Sequence, residues 1–335
     1  MGEIIAAAAA ELPAWAEGTV NLASPRLGSE AVACSDDSFA AMGRMLGDAA
    51  PVFKPDVYDD FGKWMDGWET KRRRDTGHDW CVVKLGARGI IRGVDIDTSH
   101  FTGNYPPAAS LWASDAETAP EDDAGWTEIL SSTPLGPSAH HFAEVAEAGP
   151  WRWLRLNIFP DGGIARLRVY GNVVADWPGN GTVELSALNN GGRIVAYNDA
   201  HFGNVQAILT EGRGVDMGDG WETRRRRAPG NDWIIVELGA AGVVEKIEVD
   251  TAHFRGNYPD RCSLQAILAG AHDDAAITVQ SVNWSLLMGE KKLQADTVHT
   301  FEAADLADLG PVSHVKLNIF PDGGISRLRI FGKKA

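Results

Sequence analysis

The residues Asp97–Pro106, DTSHFTGNYP, return as Asp250–Pro259, DTAHFRGNYP, with two letters changed in ten. The phrase sits inside a longer repeat. DGWET at Asp66–Thr70 recurs at Asp219–Thr223, and both intervals, 97 to 250 and 66 to 219, are 153 residues. A basic run follows each time, KRRR at Lys71–Arg74 and RRRR at Arg224–Arg227. LNIFPDGGIARLR from Leu156 returns as LNIFPDGGISRLR from Leu317, an interval of 161, so one loop differs in length in between. A unit this long is a duplicated domain, because solenoid repeats run to about 20–50 residues. The spacing predicts an N-terminal arm over residues 1–19, a first copy over 20–172, a linker over 173–190 and a second copy over 191–335. The phrase DWPGNGT at 176–182 has the Pro, Gly and Asn chemistry of a join.

Within each copy the apolar residues alternate. Leu154, Leu156 and Ile158 face one way, with Arg155 and Asn157 opposite. Val315, Leu317 and Ile319 repeat the pattern. Val94 and Ile96 alternate with Asp95 and Asp97, and Ile234, Val236 and Leu238 with Ile235 and Glu237. Period-two runs bounded by Gly, Pro and Asp read as half-buried antiparallel strands. Many such strands predict an all-β chain of two tandem jelly-roll β-sandwich domains. The stretch Asp37–Ala50 is the best helix candidate in the first copy. The opening MGEIIAAAAAELP has no basic residue before its apolar stretch, so it lacks a secretory n-region and reads as an arm or short helix ending near Pro13.

The formal net charge of −15 excludes nucleic acid and anionic membrane as partners, but local arginines can still hold a small anion. Three cysteines, Cys34, Cys81 and Cys262, form no disulfide pattern and point to free thiols in a reducing, cytoplasmic setting. No apolar run approaches the roughly 20 residues of a transmembrane helix.

The repeated phrases carry polar residues that a core does not require. Asp97 and Asp250 close a strand; Asx-type turn chemistry is sufficient reason for them and for Gly103 and Pro106. His100 and His253 follow in the loop and are the candidates for proton transfer, with Glu69 or Glu222 as partner base. A second pairing sets His140 over His299. Arginine's planar fork suits a carboxylate, so each basic run offers an anion ligand, with Arg73 and Arg226 as the candidates. The other arginines would then pair with Asp66, Asp219, Glu69 or Glu222. Asn104 and Asn257, with Tyr105 and Tyr258, are candidates for substrate contact. FPDGG at Phe159–Gly163 and Phe320–Gly324 has turn chemistry, and Arg166 and Arg327 after it face a cleft or water. Nucleotide loops, the GxSxG elbow and HExxH are absent. Asp97, His100 and Glu69 or Asp66 would give an O/N donor set for a divalent metal at a spacing that fits no standard template.

Together, NLASPRLGSEAVACSDDSF (Asn21–Phe39), KWMDGWETKRRR (Lys63–Arg74), GHDWCVVKLG (Gly77–Gly86), GVDIDTSHFTGNYPPAASL (Gly93–Leu111) and LRLNIFPDGGIARLRVYG (Leu154–Gly171), with their second copies, resemble allantoicase from about Asn21 to Gly332. One departure is Ser38, where family members usually carry an aromatic. The resemblance implies a pair of galactose-binding-like jelly rolls, and hydrolysis of allantoate to ureidoglycolate and urea in purine degradation, with a homo-oligomer expected and no nucleic acid or membrane partner. It implies no role for any individual residue. The rival reading is a non-catalytic tandem module for carbohydrate or small anions, in which exposed Trp68, Trp221, Tyr105 and Tyr258 would stack on a sugar.

Overall fold

The computed structural model describes residues 3–177, 179, 181–270 and 273–335. The chain divides into two units, Met1–Val174 and Ala175–Ala335. Each is a β-sandwich organised by one 19-residue strand, Asp79–Asp97 in the first and Asp232–Asp250 in the second. In the first unit, the start of that strand pairs with Glu30–Cys34 on one side and Trp151–Phe159 on the other. Its end pairs with Phe142–Glu144 and Arg166–Val173. One strand therefore serves both layers. Ala108–Ser114 and Thr127–Pro134 extend the first layer, and Val20–Asn21 the second. The second unit repeats this plan: Val312–Phe320 and Arg327–Lys334 flank Asp232–Asp250.

The core lies between the layers. Leu154, Leu156 and Ile158 are fully buried, as are Leu111 on the neighbouring strand and Ile91 and Val94 from the second half of the long strand. Burying such a side chain contributes about 1.5–3 kcal/mol, enough to fix the strand register.

The alternation is less simple than the sequence predicts. Asp95 and Asp97 occupy the polar face of their strand, yet they are 1% and 0% exposed. His140 and Arg168 cover them. Ile235 is also fully buried, because the outer face of its strand is covered by Ile277 and Trp284. Ile277 belongs to Asp274–Gln280, the α-helix among the described residues, capped by Asp273, whose carboxylate accepts from Ala276 N at 2.7 Å. The helix expected over Asp37–Ala50 is not formed. Only Met42–Leu46 turns, as a 3-10 helix, because Gly43 and Gly47 weaken the run and Ala40 is tied to Glu69 in a β-bridge.

The N-terminal segment also differs from a helix. Ile5–Ala6 pairs with Val52–Phe53, and Trp15 packs edge-on to Tyr170. At the junction, Pro178 and Asn180 lie outside the described residues, and Val183–Glu184 already pairs with the last strand of the second unit.

Arg166 and Arg327 point neither into a cleft nor into water. They are 3% and 2% exposed. Arg166 Nη2 meets Asp66 Oδ2 at 2.9 Å, Nη1 donates to Asp66 O at 3.0 Å and Nε to Ala49 O at 3.0 Å. Arg327 repeats this with Asp219 and Gly212. Asp66 and Asp219 are thus partnered by these buried arginines rather than by the basic runs. Removing one member of a buried pair leaves the other unpaired at about 3–5 kcal/mol. Arg166→Met is therefore expected to lower unfolding stability by about 3 kcal/mol in urea denaturation, with much smaller loss in Arg166→Met/Asp66→Leu.

Candidate functional site

At one end of each sandwich the repeated motifs converge on a pocket. The strand pair Trp68–Glu69 and Gly163–Ile164 brings Glu69 opposite Gly163. The loop after Asp97 packs down on this pair: Gly163 N donates to Asn104 O at 2.7 Å, and Thr70 N to Gly162 O at 3.1 Å. The glycines are required by close approach. Gly162 has φ +145°, and a Cβ there would lie 2.6 Å from Pro106 N; one on Gly163 would strike the Phe101 ring at 2.0 Å. FPDGG therefore does more than turn. It is the surface on which the histidine-bearing loop rests, and the second copy repeats the contacts through Gly323, Gly324 and Phe254.

The first pocket has a volume of about 300 Å³ and is lined by Glu69, Arg72, Asn104, Tyr105, Asp161 and Phe39, among others. The second is about 930 Å³, with Glu222, Arg225, Asn257, Tyr258, Asp322 and Phe202 in the same places, and His201 and Arg227 at its edge. The carboxylates are held by the asparagines. Asn104 Nδ2 donates to Glu69 Oε1 at 2.5 Å, and Asn257 Nδ2 donates to Glu222 Oε1. Burial raises the Glu69 carboxyl above its ordinary range, and the Asn104 hydrogen bond opposes that rise.

Of the five sequence candidates in each copy, three line the first pocket and four line the second. Glu69, Asn104 and Tyr105 come together, as do Glu222, Asn257 and Tyr258. Arg73 does not line the first pocket. Its side chain turns back to Asp79 at 2.7 Å and Asp75 at 2.8 Å. Arg226 borders the second pocket, but its guanidinium meets Asp232 at 2.6 Å. Successive residues of an extended run point oppositely, so the pocket receives the neighbours Arg72 and Arg225. Arg72 is 70% exposed, with Nε 3.8 Å from Asp161 Oδ1.

The histidines stand apart from the pocket linings. His100 Nε2 lies 3.2 Å from Pro51 O, and its ring stacks on Phe53. His253 Nε2 lies 2.7 Å from Gly214 O. Pairing with a carbonyl requires each Nε2 to carry the proton and donate. Both backbones adopt left-handed φ, +68° and +70°, a conformation held by Ser138 Oγ and Asp296 Oδ1 accepting from the two backbone N–H groups. Trp68 and Trp221 are fully buried, each donating its indole N–H to a backbone oxygen, so neither offers a stacking face.

Asp161 and Asp322 escaped sequence reasoning because FPDGG had a sufficient explanation as a turn. Each carboxylate accepts the backbone N–H of Arg73 or Arg226, at 2.9 and 2.8 Å, and so presents the preceding arginine to the pocket. Their recurrence in both copies was the available signal.

The metal set expected from Asp97, His100 and Glu69 or Asp66 is not assembled. Asp97 instead joins Asp95 and His140. Arg168 Nη1 lies 3.8 and 3.7 Å from the same two carboxylates, so that cluster already holds a cation of its own. The pairing of His140 with His299 is also one residue out of register. His141 and His299 each accept at Nε2 from a loop N–H, Gly136 and Gln294, and each sets Nδ1 against the backbone of the long strand. His140 accordingly corresponds to Val298.

If the glycine contact sets the loop, Gly163→Ala should cost about 1–3 kcal/mol of stability, since the added methyl overpacks a fully buried ring. Gly103→Ala, where a Cβ meets nothing within 4 Å, should change unfolding midpoints by no more than about 0.5 kcal/mol. Equal losses would show that the contact does not matter.

Comparison with known proteins fits this arrangement. A family model described as the allantoicase repeat matches residues 20–174 and 183–335. A protein named probable allantoicase 1 from Burkholderia mallei is 56% identical over 96% of each chain. A probable allantoicase from Acinetobacter baumannii is 51% identical over 98% of each. The crystal structure of allantoicase from Saccharomyces cerevisiae superposes with a TM-score of 0.81 at 37% identity, covering 94% of this chain and 93% of that one.

Proposed function

The chain belongs to the allantoicase family, and we propose that it hydrolyses allantoate to ureidoglycolate and urea at its two end-loop pockets. The observation that supports this reading is the repeated set of one buried-edge carboxylate, one asparagine, one tyrosine and one exposed arginine in each copy. Allantoate is a carboxylate whose α-carbon bears two ureido groups. Arg72 and Arg225 bind the carboxylate through the guanidinium fork. Asn104 and Asn257 keep Oδ1 for a ureido N–H while Nδ2 holds the glutamate. Tyr105 and Tyr258 hydrogen-bond a ureido carbonyl.

Glu69 and Glu222 carry the proton. A water attacks the α-carbon, the carboxylate takes its proton, and the same proton passes to the departing ureido nitrogen as the C–N bond breaks. One C–O bond replaces one C–N bond, and the glutamate ends as it began. The Glu69 carboxyl, which burial holds above its usual range, is closer to the balance between taking and giving a proton that this cycle needs. The setting is taken to be cytoplasmic, in keeping with three free thiols.

Urea release from allantoate is the direct test. Glu69→Gln/Glu222→Gln is expected to reduce kcat by at least about 100-fold, while the single variants each retain the turnover of the other pocket. Full activity in the double variant would refute the assignment. The acid limb of the pH–rate profile in Glu222→Gln should lie above the usual glutamate range of about 4.3. Asn104→Leu in that background removes the hydrogen bond that favours the charged form, so the limb should move to higher pH.

The histidines are given a positioning role. His100→Gly/His253→Gly keeps the left-handed backbone and removes the rings. It is expected to lower thermal stability while kcat stays within about threefold of wild type, under about 1 kcal/mol of barrier. A loss of 100-fold or more in a folded variant would return the imidazoles to the chemistry.

A further inference from the structure

The first sandwich carries a second cavity, on the outer face of its sheet and separate from the end-loop pocket. It has a volume of about 380 Å³ and is lined by Trp80, Trp112, Phe159, His78 and Glu128, with Asn157 and Arg155 also contributing. None of these residues takes part in the reaction described above.

The duplication supplies a reference for this cavity. The strand registers match Trp80 with Trp233, Trp112 with Gln265, Arg155 with Lys316 and Glu128 with Leu286. In the second unit, Lys316 Nζ lies 4.8 Å from the centre of the Trp233 ring and is 8% exposed. It donates to Ser281 Oγ at 3.2 Å, beneath the cover formed by Asp274–Gln280 and Ser281–Asn283. That unit holds its own ammonium against the tryptophan face.

The first unit differs at each point. Its cover is only the turn Asp123–Gly125. Arg155 has moved off to Trp112 and Trp126, at 4.7 and 5.3 Å, and its Nη1 pairs with Asp123 at 2.7 Å. Among the described residues no cation lies over Trp80, and no basic group pairs with the exposed Glu128, which replaces an apolar leucine. Below them, Asn157 Oδ1 is buried without a donor, whereas its counterpart, Asn318 Oδ1, accepts from Asn231 Nδ2 at 3.4 Å. His78 replaces that asparagine. The result is an open, aromatic-walled cup with an unpaired carboxylate at its rim and an unpaired carbonyl dipole at its floor.

We propose that this cup binds a small organic ammonium ion, seated on Trp80 where the other copy places Lys316. Aromatic faces attract such cations, and a carboxylate at the rim adds charge complementarity in a protein whose net charge is −15. A primary alkylammonium fits best, because it combines an apolar chain for Phe159 and Trp112 with N–H donors for Glu128.

The test is a titration of the full-length protein with n-propylammonium chloride, followed through the tryptophan indole N–H resonances, with 1-propanol and sodium chloride as controls. Trp80 and Trp112 are expected to shift saturably while Trp233 stays still. Glu128→Gln, a surface change, should weaken binding about tenfold, and Trp80→Leu should abolish it. Urea release from allantoate should be unaffected in Glu128→Gln. Absence of a saturable shift up to about 100 mM would overturn the proposal, at a concentration where even very weak binders register. An equal response to 1-propanol, or unchanged affinity in Glu128→Gln, would do so as well.

Discussion

The loop end of each sandwich hangs from an arginine taken out of water. A buried guanidinium is tolerable only if its donors are met. Arg166 meets that demand with a carboxylate and the backbone oxygens of Ala49, Asp66 and Ala165. Apart from Ala165, the residue before Arg166, those acceptors come from the segments on either side of Met65, so satisfying the charge also fixes where Asp66-Gly67-Trp68-Glu69 must run. Trp68 then fills the interior and Glu69 is left at the pocket edge. The Glu69 carboxylate is thus positioned by an electrostatic requirement two residues behind the strand that carries it. The same logic operates through Arg327 and Asp219 in the second copy.

Much of this was legible in the sequence, because duplication doubles every signal. The two-domain plan, the strands and the convergence of Glu69, Asn104 and Tyr105 followed from repeated phrases and period-two alternation. What failed were statements about direction. Arg73 and Arg72 are chemically equal in sequence; only the strand pleat and the nearby Asp79 decide which one is withdrawn. His100 reads as a proton carrier in sequence because histidine often is one; the structure sets its backbone at left-handed φ and its ring against Pro51, outside the pocket lining. Asp95 and Asp97 alternated as an exposed face should, and a neighbouring strand covered them. Tertiary cover of this kind leaves no local trace. Ile235 makes the same point from the apolar side: the helix that buries it lies about 40 residues further on.

The copies are most informative where they disagree. His140 has become Val298, and the carboxylate facing it has lengthened from Asp95 to Glu248, which is paired by Lys246 instead. The buried polar cluster of one unit is replaced by a half-buried ion pair in the other. On the outer face the exchange runs the opposite way, with an internal lysine in the second unit set against an open cup in the first. Since both units keep the same sheet plan, these are substitutions on a constant scaffold. Neither fold nor end-loop pocket depends on them, so they are where the two copies are free to acquire different ligands.

The charge pattern resolves an apparent conflict between an acidic protein and an anionic substrate. A chain of net charge −15 repels a carboxylate at long range, but at physiological salt that repulsion decays over about 8 Å. Within this distance the substrate meets the arginine run, not the average charge. The run is also partly discounted: Arg73 and Arg226 are neutralised by Asp79 and Asp232, and Lys71 and Arg224 by Asp36 and Asp199. What remains is Arg72 at the first mouth, beside the aspartate of FPDGG, and Arg225 with Arg227 at the second. In each run of four basic residues, then, two are held by aspartates and the remaining arginines at the mouth are the ones free to meet an anion.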